Sequence, residues 1–211
     1  VLLKEDLKIV PDQGRLTPKP FLGIDPAGEG RDLSVWAVRD PFRAKVAAVE
    51  KISNPKSIAE KTLTLMDFYD IPANNVFVDN FGAGANVSQE MALAGHRINA
   101  VFIGDKAKNE KNYINLRAEA TIEMRDWIRT GGELIRHDKW SQLLDLRYKR
   151  NISGRVQIIS KLELAKRGIK SPDAADALMM TFLQKGQQRF NTESVPRLSD
   201  EELNRIVNVY G

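Results

Sequence analysis

FLGIDPAGEGRDLSVWAVRDPFRAKVAAVEKI, residues 21–52, decides the fold. Phe21 to Asp25 reads as a short apolar strand ending on an acid, and Pro26 stops a ladder from continuing. Gly28-Glu29-Gly30-Arg31-Asp32 is a turn signal. Leu33 to Arg39 and Ala44 to Ile52 are rich in β-formers and are split by a break at Asp40-Pro41. The stretch therefore predicts three sequential antiparallel strands.

Downstream the pattern changes period. Ser53-Asn54-Pro55 opens a helix through about Tyr69, with Ile58, Leu63, Leu65 and Phe68 apolar. Val76 to Asp79 is a buried-type strand, and Gly82-Ala83-Gly84 turns into a helix over 86–94 capped by Gly95. Ile98 to Ile103 is a further strand, and the polar run 104–112 is expected to be mobile. Tyr113 to Arg129 is an amphipathic helix stopped by Gly131-Gly132. Glu133 to Ile135 reads as a short strand and Trp140 to Leu146 as a short helix. Arg147 to Ile152 and Arg155 to Ile159 flank Ser153-Gly154, a hairpin signal. Lys161 to Arg167 is a short helix. Ser171 as N-cap and Pro172 as first residue open the last core helix, to about Leu183, and 200–209 suits a small helix. Strands first and then alternating helix and strand predict a mixed α/β layered fold.

With 211 residues and 42% apolar composition, the chain can bury one real core. Its organisation reads as a lead-in over 1–19, broken by Pro11 and Pro18, a domain over 20–185, and a polar tail over 186–211. The absence of cysteine excludes disulfides and thiolate zinc sites. No stretch resembles a membrane span or a leader peptide. The net charge of +4 is unevenly spread: Arg136 to Lys170 holds ten Lys and Arg against Asp138, Asp145 and Glu163, so it is net +7 and the remainder net −3. A concentrated cationic segment beside acids suits a polyanionic partner, although scattered lysines on a solvated face give the same count.

The acids fall in three clusters, Phe21–Pro26, Val76–Asn80 and Ser171-Pro172-Asp173-Ala174-Ala175-Asp176-Ala177-Leu178. An aspartate ending an apolar strand is costly near a core unless something binds it. Alone, Asp25 before Pro26 and Asp79 before Asn80 read as turn or cap residues. Asp173 and Asp176 share one face of a helix's first turn, where the dipole favours them. Dipole satisfaction does not require the alanines around them, and these small neighbours let the helix approach the sheet. If strand 21–25 is central with 76–79 beside it, the acids converge, and hard divalent cations would resolve their repulsion. His96 reads as a surface residue, and His137, beside the cationic segment, as a possible phosphate contact. Trp36, Trp127 and Trp140 read as core or near-core.

Gly23-Ile24-Asp25-Pro26-Ala27, Val78-Asp79-Asn80-Phe81-Gly82-Ala83-Gly84 and Ser171–Leu178, in that order over about Phe21 to Leu183, resemble the C-terminal nuclease domain of bacteriophage large terminase subunits. The element order likewise resembles the ribonuclease H-like fold, with the basic hairpin added to its mixed sheet. The resemblance implies that Asp25, Asp79 and Asp173 bind two Mg2+ or Mn2+ ions, with Asp176 as a fourth ligand. It implies an endonuclease that cuts concatemeric viral DNA in the host cytoplasm, with double-stranded DNA, the portal protein, the small terminase subunit and an upstream ATPase domain as partners. Asp25, from the central strand, would bridge the ions about 3.5–4 Å apart, with Asp79 and Asp173 on either side. The chain contains no Gly-x-x-x-x-Gly-Lys-Ser/Thr loop, so ATP hydrolysis is expected elsewhere, and the Val1 start suits excision from a longer protein. The hairpin cations Arg147, Lys149, Arg150 and Arg155, with Lys161, are expected to contact DNA, although an edge protected by charge explains the hairpin equally.

The third acidic motif also resembles that of Holliday-junction resolvases. Further alternatives are a non-catalytic DNA-binding or portal-docking module, which would not need the acids, and an actin-like ATPase domain, for which the chain is too short.

Overall fold

A computed structural model describes residues 2–28 and 33–183. Part of the Gly28–Asp32 turn, the 186–211 tail and its expected helix lie outside the described residues. A seven-stranded mixed sheet is built from β1 (Lys8–Val10), β2 (Phe21–Asp25), β3 (Ser34–Arg39), β4 (Arg43–Glu50), β5 (Val76–Asp79), β6 (Asn99–Val101) and β7 (Glu133–Ile135), ordered β1-β7-β4-β3-β2-β5-β6. The expected antiparallel trio is present: β2 pairs β3 and β3 pairs β4. β5 lies parallel beside β2, and β6 parallel beside β5.

Helices cover both faces, which is why the central strands read as continuous apolar runs. Leu22, Ile24, Val76 and Val78 face α1 (Pro55–Tyr69) and α2 (Ala83–Leu93), packing with Ile58, Met66, Val87 and Met91. Phe21 and Phe77 belong to the opposite core, shared with α3 (Leu116–Arg129) and α5 (Asp173–Met180). Strand alternation then puts Asp25 and Asp79 on this second face. Trp36 and Trp140 are fully buried and each donates an indole N–H, to Thr62 Oγ1 (2.9 Å) and Ile135 O (2.8 Å).

Several boundaries differ from expectation. The lead-in is woven into the domain: Leu2 is buried in the core, and β1 pairs parallel with β7 as the sheet's edge strand. α2 begins at Ala83 instead of 86, because Gly84 is a helical residue pressed against the Asp79 carbonyl, where a side chain would overlap backbone. The 104–112 run is tied down: the buried Glu119 carboxylate accepts the amides of Lys108 (2.7 Å) and Asn109 (3.1 Å). Asp138–Asp145 is a 3-10 helix whose N-cap is His137, with Nδ1 accepting from Lys139 N at 3.2 Å. β8 (Tyr148–Arg150) and β9 (Val156–Ile158) form the expected hairpin as a separate two-stranded sheet. α4 (Lys161–Ala165) follows it.

Candidate active site

β2 and β5 pair with Ile24 opposite Val78, so one residue further each strand releases an aspartate at the same sheet edge. α5 crosses the face beneath them. Its approach depends on Gly23, where a Cβ would overlap the Ala177 carbonyl oxygen and lie 2.9 Å from Met180 Cβ. Ala174, Ala175 and Ala177 are fully buried at this contact, as the small-residue pattern around the acids implies. The far end of α5 is fastened to β3 by the buried Arg39, which donates to Thr181 Oγ1 (2.8 Å) and Thr181 O (2.9 Å).

The start of α5 departs from expectation. Pro172 is the N-cap and has no side-chain acceptor, and Ser171 does not cap. Gln142 does this work from the 3-10 segment: Oε1 accepts from Ala174 N (2.8 Å), and Nε2 donates to Ser171 O (3.3 Å). The helix ends at Met180, short of Leu183.

Lys161 is the hub of the site. Its Nζ lies 3.0 Å from Asp25 Oδ2, 3.1 Å from Asp176 Oδ2 and 3.7 Å from Asp173 Oδ1. Expected among the DNA-contacting cations and, by its position alone, near the active site, it points into the acids. Its backbone is set by a capping box: Ser160 Oγ accepts from Glu163 N (3.2 Å), and Ser160 N donates to Glu163 Oε2 (3.4 Å). Arg117 Nη2 donates to Asp176 Oδ1 at 3.1 Å. Asp79 Oδ1 accepts from Ile103 N at 3.4 Å.

Electrostatics follow from four acids facing two cations in a partly dry site. Burial pushes the Asp25 carboxyl up to about 7, and the Asp176 and Asp173 charges push it the same way against Lys161. Burial also raises Asp79, opposed by the Ile103 amide and Arg117. Burial acts most strongly on Asp176 and acts upward, but Arg117 and Lys161 together hold it below the ordinary carboxylate range. Burial disfavours the Lys161 ammonium, yet Asp176, Asp25 and Asp173 outweigh it and raise its pKa. Asp176 Oδ2 is buried, and the Lys161 ammonium is its ion-pair partner at 3.1 Å. Among the described residues no three acids or histidines converge closely enough to hold a metal ion as they stand, and the Lys161 ammonium pairs with Asp25 and Asp176.

Arg117 and Gln142 were missed from sequence. A cation in a helix's first turn opposes the dipole, so Arg117 carried a readable signal of an acidic partner. Ser160-Lys161-Leu162-Glu163 carried the capping signature that aims Lys161. Nothing in sequence marks Gln142. On the hairpin, Lys149 pairs with Glu163 (3.0 Å), Arg150 Nη1 donates to Gly154 O (2.6 Å), and Arg147 donates to the Leu144 and Leu146 carbonyls. His96 is exposed, as expected.

No protein-family model matches the chain, and no curated protein matches it. Solved structures do. The nuclease domain of the large terminase subunit gp2 of bacterial virus Sf6 superposes with a TM-score of 0.69 at 20% identity, over 80% of this chain and 89% of that one. The large terminase nuclease of thermophilic phage G20c gives 0.61 at 16%, over 85% and 95%. The nuclease domain of the Thermus phage P74-26 large terminase gives 0.55 at 16%, over 85% and 90%. The Sf6 domain has been solved with manganese and with calcium, and the G20c domain with magnesium and with cobalt. The chain therefore has the ribonuclease H-like fold of phage large-terminase nuclease domains.

Proposed function

We propose that the chain is the nuclease part of a phage large terminase, a metal-dependent DNA endonuclease that cuts concatemeric DNA during packaging. The observation that carries this reading is the Lys161 ammonium held by Asp25, Asp173 and Asp176. Acids from a central strand and a distant helix already surround a cation, in a fold shared with terminase nucleases.

The donor set suits hard divalent ions, since every candidate ligand is a carboxylate oxygen. The excess of acids over the cations Lys161 and Arg117 favours additional positive charge. Asp25, Asp79, Asp173 and Asp176 would hold two Mg2+ or Mn2+ ions. Bound there, the ions supply nucleophile generation and neutralise charge on the phosphodiester. Arg117 keeps Asp176 ionised and oriented. Burial raises the Asp25 carboxyl to about 7 in the metal-free chain, and a bound divalent cation would favour its ionised form. Lys161 pairs with the acids in the metal-free chain, and once released its Nζ would donate to a phosphate oxygen. Lys149, Arg150, Arg155 and Arg147 grip flanking phosphates without reading sequence. An upstream ATPase domain, the portal protein and the small terminase subunit complete the partners in the host cytoplasm.

The test is supercoiled plasmid cleavage with Mg2+ or Mn2+, with and without EDTA. Wild type should cut only with free metal, and Asp25→Ala should not cut while still melting cooperatively. Full cleavage by that variant, or cleavage in EDTA, would remove the proposed role. A preference for four-way junctions over linear duplex would shift the reading to a resolvase.

A further inference from the structure

Hairpin tips in water favour residues that turn easily and solvate well. Asn151, Ser153 and Gly154 fit that rule. Asn151 N donates to Arg155 O (3.0 Å), Gly154 N to Asn151 O (2.8 Å), and Arg155 N to Asn151 Oδ1 (2.9 Å). Ile152 does not fit. It is β-branched and apolar, yet its relative exposure is 108%, the highest of the large apolar side chains among the described residues. Lys149, Arg150 and Arg155 lie within three residues of it in sequence, with Lys149 paired to Glu163 and Arg150 donating to Gly154 O.

The tip stands on a fixed base. Val156 and Ile158 are buried against Ala118 and Ile122 of α3. Val156 N donates to Asn112 O (2.8 Å), Ile114 N to Val156 O (3.0 Å), and Ile159 N to Arg147 O (2.9 Å). The next residue, Ser160, caps the helix that sends Lys161 into the acids. The Ile152 apex is thus held at a set distance from the acidic site.

We propose that Ile152 is a wedge that inserts between base steps of duplex DNA gripped by the hairpin cations, unstacking and bending it beside the acidic site. The proposal rests on the DNA-cleaving reading above. A cluster of cations draws a polyanion through its phosphates. An apolar side chain at the apex of this cationic hairpin is favoured only where it can leave water, and the apolar region such a partner offers is its base stack. A bend there would carry the backbone toward the carboxylates and relax the need for sequence contacts.

The test uses the 211-residue chain in EDTA with a short duplex carrying a donor and an acceptor dye at its two ends, titrated over a salt series. Wild type should raise energy transfer on binding. Ile152→Ser should lose that rise and bind on the order of tenfold more weakly with an unchanged salt slope. Ile152→Leu should restore both. Binding by wild type without a bend, or an equal bend with Ile152→Ser, overturns the wedge and assigns the apex to another partner while the nuclease reading stands. No duplex binding by wild type overturns both.

Discussion

At Asp25, burial and two neighbouring carboxylates push the acid up to about 7 from an ordinary value of 3.8, against the pull of Lys161. The folded, metal-free chain therefore holds a proton between those pH values that the unfolded chain has released. By linkage, this stabilisation is complete below about pH 3.8 and is lost as pH rises through about 7. Asp79, also raised, acts in the same direction. In EDTA the melting temperature should fall as pH is raised from about 5 to about 8, and Asp25→Asn should flatten that fall. Equal slopes in the two proteins would mean that Asp25 titrates as an ordinary surface carboxyl. The position of Asp25 at a strand end was legible in its apolar run and in Pro26. That Lys161 approaches the acids was suggested only by its position, and its direct pairing with Asp25 was not legible, because the two are far apart in sequence.

At the scale of elements, the site is a contact between a strand and a helix. β2 offers Gly23 to α5, α5 answers with buried alanines, and the acids on both are thereby drawn together. Gly23→Ala forces a methyl group into the Ala177 carbonyl and should cost about 1–3 kcal/mol of stability. Denaturant unfolding measures this, and a loss near zero would show that α5 can shift away freely. The Asp-Ala-Ala-Asp-Ala run announced this helix and its close packing. Its cap was misread because Ser-Pro is a strong local start signal, whereas the acceptor comes from Gln142 on another element. The hairpin was legible from Ser153-Gly154 and its cations, but the 3-10 form of 138–145 was not, since a short apolar run does not distinguish helix types.

Over the whole molecule, both ends of the sheet matter. The segment before Phe21 supplies the edge strand β1, the buried Leu2 and an ion pair from Asp6 to Arg129. Removing residues 1–10 should uncover the β7 edge and lower stability by about 3 kcal/mol or more, read by thermal melting. An unchanged melting temperature would return that segment to the status of a linker. Its prolines had pointed to a linker, and a three-residue edge strand leaves too little periodicity to argue otherwise. The central strands β2, β3 and β5 were readable because their runs are buried on both faces. The central claim is that these convergent acids hold divalent cations, and calorimetric titration of Mn2+ into the metal-free chain at neutral pH tests it most directly. Wild type should bind saturably, and the Asp25→Asn, Asp173→Asn double variant should bind roughly tenfold more weakly or not at all. Equal Mn2+ affinity in the folded double variant would contradict the account.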